Sequence, residues 1–116
     1  MEILKETIIH TKDYNTFICK SSNWSEEIYY YLDPLDNDNK VLHNINDKPA
    51  TIWYNGDSIY SKVWYKHGII HREFGPAIDY IDGLKHYFYN GESIGISING
   101  FTEQDFKNFI KFKAFK

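Results

Sequence analysis

The sequence is poor in the residues that form covalent sites and nucleic-acid contacts. Cys19 is the one cysteine among 116 residues, so an internal disulfide is impossible. A lone cysteine in a strand-like run is more often a small core residue than a nucleophile. Arg72 is the one arginine among thirteen basic residues. Because arginine makes most specific contacts to base edges and phosphates, we expect no direct binding to nucleic acid.

Long apolar stretches are also missing. No stretch reaches the roughly 18 residues that span a bilayer, and residues 1–10 lack the basic and apolar regions of a signal peptide. Sixteen acidic and thirteen basic residues give a net charge of -3, which is too small for a mimic of DNA. Together with the single cysteine, these absences predict a soluble, cytoplasmic protein with no membrane partner.

Aromatic side chains are abundant: ten tyrosines, eight phenylalanines and three tryptophans make up 18% of the chain. Isoleucine, asparagine and lysine are frequent whereas alanine and arginine are rare, which indicates the AT-rich genome of a virus, a phage or a low-GC bacterium. Tyrosine and tryptophan are enriched at interaction hot spots, so we predict an aromatic binding face. The alternative is that each ring packs among its strand neighbours. The candidate binding residues are Trp53, Tyr54, Trp64, Tyr65, Tyr87 and Tyr89, with Phe112 and Phe115 from the C-terminal segment.

Two segments resemble each other in sequence. Both contain a histidine, a Pro-Ala pair, four strand residues and an x-Gly turn, at His43, Pro49-Ala50 and Asn55-Gly56 and again at His71, Pro76-Ala77 and Asp82-Gly83. The Pro-Ala pairs are 27 positions apart, whereas His67-Gly68 and Asn90-Gly91 further on are 23 apart. A period of this size indicates a repeated supersecondary unit.

Each unit is predicted to be an antiparallel hairpin. Asn55-Gly56 and Asp82-Gly83 are typical of two-residue type I′ turns, and the second turn would place Asp79 opposite His86. We expect a mainly β (α+β) fold, an antiparallel meander of hairpin repeats with a C-terminal helix packed on it. The chain would form one domain, with two hairpin repeats over 41–98, a helix over 101–115, and an N-terminal region, 1–40, whose structure stays open.

The helix prediction depends on its first turn. Thr102 and Asp105 have the spacing of a capping box. Phe106, Phe109 and Ile110 then form a compact apolar stripe that we expect to pack on the meander. The side chains at 112 and 115 fall off this stripe, so they either pack on another element or belong to a binding surface.

The N-terminal region gives mixed signals. Residues 7–9 and 16–20 have strand-like composition. Apolar residues from 24 to 35 follow helical spacing with Asn23 as a possible cap, yet 29–32 suits a strand equally well. Residues 33–40 are predicted to form a polar loop.

The second segment, together with the residues directly after it, resembles the divergent MORN-like repeats found in large DNA viruses, phages and some bacteria. The match is carried by Arg72, Gly75, Pro76, Ala77, Asp82, Gly83, Tyr87, Phe88, Asn90 and Gly91. The first segment departs from the pattern, with Asn44 in place of the arginine and Lys48 in place of the first glycine. The resemblance implies a binding scaffold without shared catalytic residues. It does not imply the lipid binding of ordinary MORN repeats, whose shorter Tyr-x-Gly-x-Trp unit is missing.

Motifs for catalysis, metals and cofactors are weak. His67 and His71 have a zinc-like spacing, but Gly68 places them across a turn, and we expect no metal and no cofactor. The sequence therefore predicts a non-enzymatic module of viral, phage or prophage origin that binds a host protein stoichiometrically, for example as an inhibitor of a host defence factor. The alternatives are an immunity protein, a self-assembling protein or homo-oligomer, and a small enzyme that uses His71, His86 and Asp79.

Overall fold

The computed structural model describes residues 5–10, 17–33, 35–44 and 46–113, and its regular elements are short strands rich in β-branched and aromatic side chains. The strands are β1 (Lys5–His10), β2 (Phe17–Ser22), β3 (Glu26–Asp33), β4 (Asp36–Leu42), β5 (Thr51–Asn55), β6 (Ser58–Val63), β7 (Tyr65–Lys66), β8 (Ile69–Ile70), β9 (Ile78–Tyr80), β10 (Lys85–Tyr89) and β11 (Glu92–Ile96). A 3-10 turn, Ser97–Asn99, precedes the helix α1 (Glu103–Lys113).

Nine of these strands form one antiparallel sheet. Its order is β1-β2-β3-β5-β6-β9-β10-β11, and β4 pairs with the second half of β3. Strands β7 and β8 form a separate hairpin. The molecule measures 41 × 36 × 20 Å, so the sheet is broad and thin. The predicted fold, a β-meander of hairpins with a C-terminal helix, is confirmed.

The two similar segments, called here the first copy (43–68) and the second copy (71–91), make matching backbone contacts. Ala50 and Ala77 are fully buried. The Ala50 N–H donates to the Val63 carbonyl at 2.9 Å, and the Ala77 N–H donates to the His86 carbonyl at 2.9 Å. A methyl group fits at both positions because neighbouring strands close over it.

A histidine holds a tight turn in each copy. Nδ1 of His43 accepts the His67 N–H at 3.0 Å, and Nδ1 of His71 accepts the Asn90 N–H at 2.8 Å. A backbone N–H can only donate, so both rings are unprotonated at Nδ1. His67 and Asn90 have φ of 51° and 49°, and each is followed by a glycine with positive φ, which is the backbone of a type I′ turn.

The type I′ prediction for Asn55-Gly56 and Asp82-Gly83 is wrong. The β5–β6 turn has Gly56 and Asp57 at its centre, and of these two only Gly56 has positive φ, as in a type II′ turn. The β9–β10 loop has three residues, 81–83, because Tyr80 donates its N–H to the Leu84 carbonyl at 3.0 Å. The Asp82 carboxylate accepts the Leu84 N–H at 2.9 Å, which stabilises this longer loop.

The longer loop shifts the register by one residue. Asp79 lies opposite Lys85, and His86 lies opposite Ile78. The predicted Asp79–His86 pair is therefore wrong. The Lys85 ammonium contacts the Asp79 carboxylate at 3.2 Å, and Nε2 of His86 lies 2.7 Å from the Ser93 hydroxyl.

The described part of the N-terminal region is β structure. Strands β1 and β2 confirm the strands predicted near 7–9 and 16–20. The helical alternative is wrong, because 26–33 is a strand; the Asn23 side chain instead caps the turn before it, accepting the Ser25 and Glu26 amides at 2.8 and 3.0 Å. The loop predicted for 33–40 is also wrong. Pairing with the second half of β3 overrides its polar composition and forms β4.

The helix begins as predicted. The Asp105 N–H donates to the Thr102 hydroxyl at 3.1 Å and the Thr102 N–H donates to the Asp105 carboxylate at 2.9 Å, which confirms the capping box. The rings of Phe101 and Phe106 pack on Tyr87, with centroids 5.3 and 4.9 Å away. Gly95 is required here, because a Cβ at this position would lie 2.2 Å from the Phe101 ring.

Candidate binding surfaces

The predicted binding residues separate into core and surface. Trp64 and Tyr87 are 7% and 2% exposed, so both belong to the core and cannot form an exposed face. The Trp64 indole N–H donates to the Asp47 carbonyl at 3.0 Å. Phe115 lies outside the described residues.

Tyr54, Tyr65 and Tyr89 are half-buried. The Tyr54 hydroxyl donates to the Glu27 carboxylate at 2.7 Å, and this hydrogen bond, with burial and the Glu27 charge, raises the pKa of Tyr54 to about 12. The Tyr89 ring packs edge-on against Phe109, with the centroids 5.6 Å apart. Tyr54 and Tyr89 are thus held by their neighbours, and among the described members of the set Trp53 and Phe112 are the exposed ones.

Exposed and half-buried apolar residues lie on β5 and β6, at the end of β9 and in the loop that follows β9. Trp53 and Tyr80 both lie directly opposite the small, buried Ser61, one on each side, so the two rings share a face of the sheet. Tyr60, half exposed, packs edge-on against Tyr80 with ring centroids 6.1 Å apart. Ile59, Tyr60, Tyr80 and Ile81 line one shallow depression, and Trp53 lies across β6 from Tyr80. These five residues are named the hairpin patch.

Sequence reasoning left Ile59 and Ile81 out of the predicted face. Ile81 is 63% exposed, and its N–H donates to the Tyr60 carbonyl at 2.9 Å, which holds it beside the tyrosine. Both isoleucines lie within three residues of a turn glycine, at Gly56 and Gly83. The sequence signal for these two residues was an apolar side chain close to a turn. Residues beside turns are seldom covered by another layer of secondary structure, so such side chains are expected to be exposed.

A second apolar surface is a groove between α1 and the loop that contains residues 73–75. The groove has a volume of about 450 Å³. Phe74 is 75% exposed at its edge, and the half-buried Tyr89 and Ile110 line it together with Phe106. The helix groove, as it is named here, is lined by Glu73, Phe74, Gly75, Tyr89, Glu103, Phe106, Lys107, Ile110, Lys111 and Lys113.

The charges around the helix groove are arranged along the helix. Glu103, Lys107 and Lys111 follow one another at intervals of four residues, so they form a row on one side of α1. Glu103 and Lys107 form an ion pair at 4.0 Å. Lys113 lies over the Tyr89 and Phe109 rings, 5.8 and 5.5 Å from their centroids. Positive charge therefore gathers at the C-terminal end of the groove.

A small polar pocket of about 160 Å³ lies between the two copies and includes both turn-holding histidines. Arg72 dominates it: Nε and Nη2 donate to the Asp47 carboxylate at 2.9 and 3.0 Å, and Nη1 donates to the Pro76 carbonyl at 3.1 Å. Its guanidinium lies 3.8 Å over the Trp64 ring. Because three of its nitrogens already donate to groups of the two copies, the Arg72 side chain holds the copies together and is called here the arginine clamp.

The histidines of this pocket are held neutral. Burial, with the nearby His67 and Lys66 charges, lowers the pKa of His43 to about 4. Burial also lowers the pKa of His71, although Glu73 at 3.7 Å opposes the shift. Neutral rings that accept a backbone N–H are structural groups rather than proton donors at neutral pH.

The residues of the enzyme alternative have separate partners. His71 accepts from the Asn90 amide, His86 contacts Ser93, and Asp79 pairs with Lys85. The two histidines of the zinc-like spacing are also divided, since the His67 ring stacks on His43 at 4.4 Å. Among the described residues, no group of three or more His, Cys, Asp or Glu is placed to hold a metal ion.

Comparison of the chain with protein-family models, with curated proteins and with solved structures gave no match. Within the described ranges, no helix is long and apolar enough to cross a membrane.

Proposed function

We propose that this protein is a binding module that acts by stoichiometric contact with another protein, without catalysis, and that the hairpin patch is its contact surface. The observation that carries the proposal is the exposure of Trp53 and Tyr60 on neighbouring strands and of Ile81 in the loop beside them. Large rings of this kind bury much area at little conformational cost, which makes them effective anchors.

The scaffold supports this use of the patch. The patch strands β5, β6 and β9 are neighbours in the nine-stranded sheet, so their exposed side chains are held on hydrogen-bonded backbone. A shallow depression of about 100 Å³ between Tyr60, Tyr80 and Ile81 would receive a partner side chain. Preorganised surfaces of this kind lose little entropy on binding.

The resemblance to MORN-like repeats fits the same proposal. Arg72, Gly75 and the Pro-Ala pair, which carry the resemblance, make contacts within the fold. Such contacts leave the exposed strand and turn positions available for a partner. We extend the proposal to a viral, phage or prophage origin and a host protein as the target, for example a defence factor that is inhibited on binding.

The test is capture of a partner from host lysate, followed by titration of the purified partner. We expect saturable one-to-one binding that Trp53→Ala or Ile81→Ala weakens by about tenfold or more. Ile98→Ala is the matched control, because Ile98 is an exposed isoleucine outside the patch. Turnover of a substrate by the protein, or binding that ignores both patch variants, would contradict the proposal.

The alternatives give different results in the same experiment. An immunity protein would bind a toxin from its own genome rather than a host protein. A self-assembling protein would show a mass that rises with concentration in light scattering, and the patch variants would reduce that mass.

A further inference from the structure

We propose that the helix groove is a docking site for an acidic amphipathic helix of a partner protein. This inference is independent of the hairpin patch, because the two surfaces have no residue in common. It depends on the shape of the groove, on its apolar floor and on the distribution of charge along α1.

The shape fits one helix. The lining residues of α1 run from Glu103 to Lys113, a length of about 15 Å at the rise of an α-helix. The loop with Glu73, Phe74 and Gly75 forms the opposite wall. A channel bounded on two sides admits a narrow rod whose apolar side chains repeat every three to four residues, and it excludes a flat surface.

The floor requires an apolar ligand. Phe74 is 75% exposed at the groove edge, and Tyr89, Phe106 and Ile110 continue the apolar surface beneath it. When a partner covers an aromatic side chain this exposed, beside a concave apolar surface, a large apolar area is removed from water.

The charge requires an acidic ligand. The whole chain is acidic, with a net charge of -3, yet three lysines and two glutamates line this groove. Glu103 is paired with Lys107, and among the described residues neither Lys111 nor Lys113 forms an ion pair. Carboxylates on a partner helix would therefore be placed near Lys111 and Lys113, away from Glu73 and Glu103, so the groove also selects the direction of the helix.

The experiment uses the full chain and a fluorescein-labelled designed peptide with leucine at helical positions i, i+3, i+4 and i+7. Its other positions are glutamate in one half of the peptide and glutamine in the other half. We expect saturable binding by fluorescence anisotropy that weakens as salt is raised. The double variant Lys111→Glu with Lys113→Glu should lower the affinity tenfold or more, and Phe74→Ala should lower it similarly. Phe112→Ala is the matched control, because Phe112 is exposed on α1 but does not line the groove.

Each alternative has its own result. Equal binding of the same peptide with lysine in place of glutamate would overturn the acidic preference. Vesicles containing phosphatidylserine that bind through Lys111 and Lys113, with no peptide binding, would overturn the proposal in favour of a membrane surface. Peptide binding that both groove variants leave unchanged would also overturn it. Circular dichroism of each variant confirms the fold, and Trp53→Ala, which should not affect the peptide, separates this result from that of the hairpin patch.

Discussion

The two copies keep the same hydrogen bonds with different residues. In the second copy Arg72 donates to the Pro76 carbonyl at 3.1 Å, and in the first copy Asn44 donates to the Pro49 carbonyl at 2.9 Å. The position after the turn-holding histidine therefore needs a side-chain donor that reaches this carbonyl. Either side chain meets that need, so the unit is defined by the bond rather than by the residue.

The longer side chain of Arg72 adds a contact between the copies. It clamps Asp47, which lies in the loop of the first copy, and covers Trp64, the core aromatic residue of that copy. Arg72 also constrains its own copy, because a Cβ on Gly75 would lie 2.9 Å from Nη1. At the matching position of the first copy, the shorter Asn44 is accompanied by Lys48, a residue with a full side chain.

The core aromatic residues of the two copies are covered in different ways. Trp64 lies under the guanidinium of the following copy, whereas Tyr87 lies against Phe101 and Phe106. The helix segment thus occupies the position that the arginine of a further copy would take. Terminal units of repeat proteins commonly need such a cover, because their last apolar surface has no neighbour.

The largest expected effect comes from removing this cover. Phe106→Ala should lower the free energy of unfolding by about 3–5 kcal/mol, because Phe106 is 2% exposed and the truncation leaves a cavity beside Tyr87. Urea denaturation measures the change. Phe112→Ala, 63% exposed on the same helix, should change stability by less than about 0.5 kcal/mol. Equal losses for the two variants would show that α1 is not packed as described.

The histidines of the two copies should differ in their effect on pH stability. The folded state holds His43 neutral down to about pH 4, whereas the unfolded chain binds a proton below about 6.5. The contribution of His43 to the free energy of unfolding is therefore fully present above pH 6.5. It decreases as the pH falls and is lost near pH 4, a change of about 3 kcal/mol. Protonation at Nδ1 also breaks the hydrogen bond to the His67 N–H.

His43→Asn tests this origin, because an amide oxygen can replace Nδ1 as acceptor without titrating. Unfolding followed between pH 7 and 4 should show a loss of stability that is about 3 kcal/mol smaller for His43→Asn than for wild type. His71→Asn should remove less, since Glu73 partly offsets the burial of His71. An identical pH profile for wild type and His43→Asn would exclude His43 as the source.

The arginine clamp should contribute more than its counterpart in the first copy. Arg72→Ala removes a two-bond ion pair with Asp47 and the stacking on Trp64, and should cost about 2–3 kcal/mol. Asn44→Ala removes one hydrogen bond and should cost about 1 kcal/mol. Arg72→Lys keeps the charge without the planar fork and should recover only part of the loss. Thermal unfolding measures the loss of stability in each of the three variants. A larger loss for Asn44→Ala than for Arg72→Ala would refute the clamp.

The sequence predicts the regular parts of this fold well because they depend on local chemistry. The Thr102–Asp105 capping box follows from spacing alone, and the meander follows from turn glycines between aromatic runs. The register at Asp79 could not be read in this way, because it depends on how the Asp82 carboxylate folds the loop. Strand β4 escapes prediction for a related reason, since only its pairing partner makes that polar segment a strand.

The candidate surfaces were less predictable than the fold. Composition indicates that some aromatic residues must be exposed, but it does not say which ones. Trp64 is buried because Arg72 covers it, and Tyr87 because α1 covers it. Both facts depend on contacts between different structural elements, which composition does not reveal. Phe74 is 75% exposed although it lies between Arg72 and Gly75, whose atoms contact each other within the fold.

The smallest and most specific prediction concerns the pairing of Gly75 with Arg72. Gly75→Ala should cost about 1 kcal/mol, because the added methyl group lies 2.9 Å from the guanidinium and must displace it. Its φ is not in the left-handed region, so alanine is otherwise acceptable there. In an Arg72→Asn background, which imitates the first copy, the same change should become neutral or slightly stabilising, since alanine lowers the entropy of the unfolded chain. A double-mutant cycle by urea denaturation measures the coupling. Equal losses of stability in the two backgrounds would mean that Gly75 is needed for a reason other than leaving room for the Arg72 guanidinium.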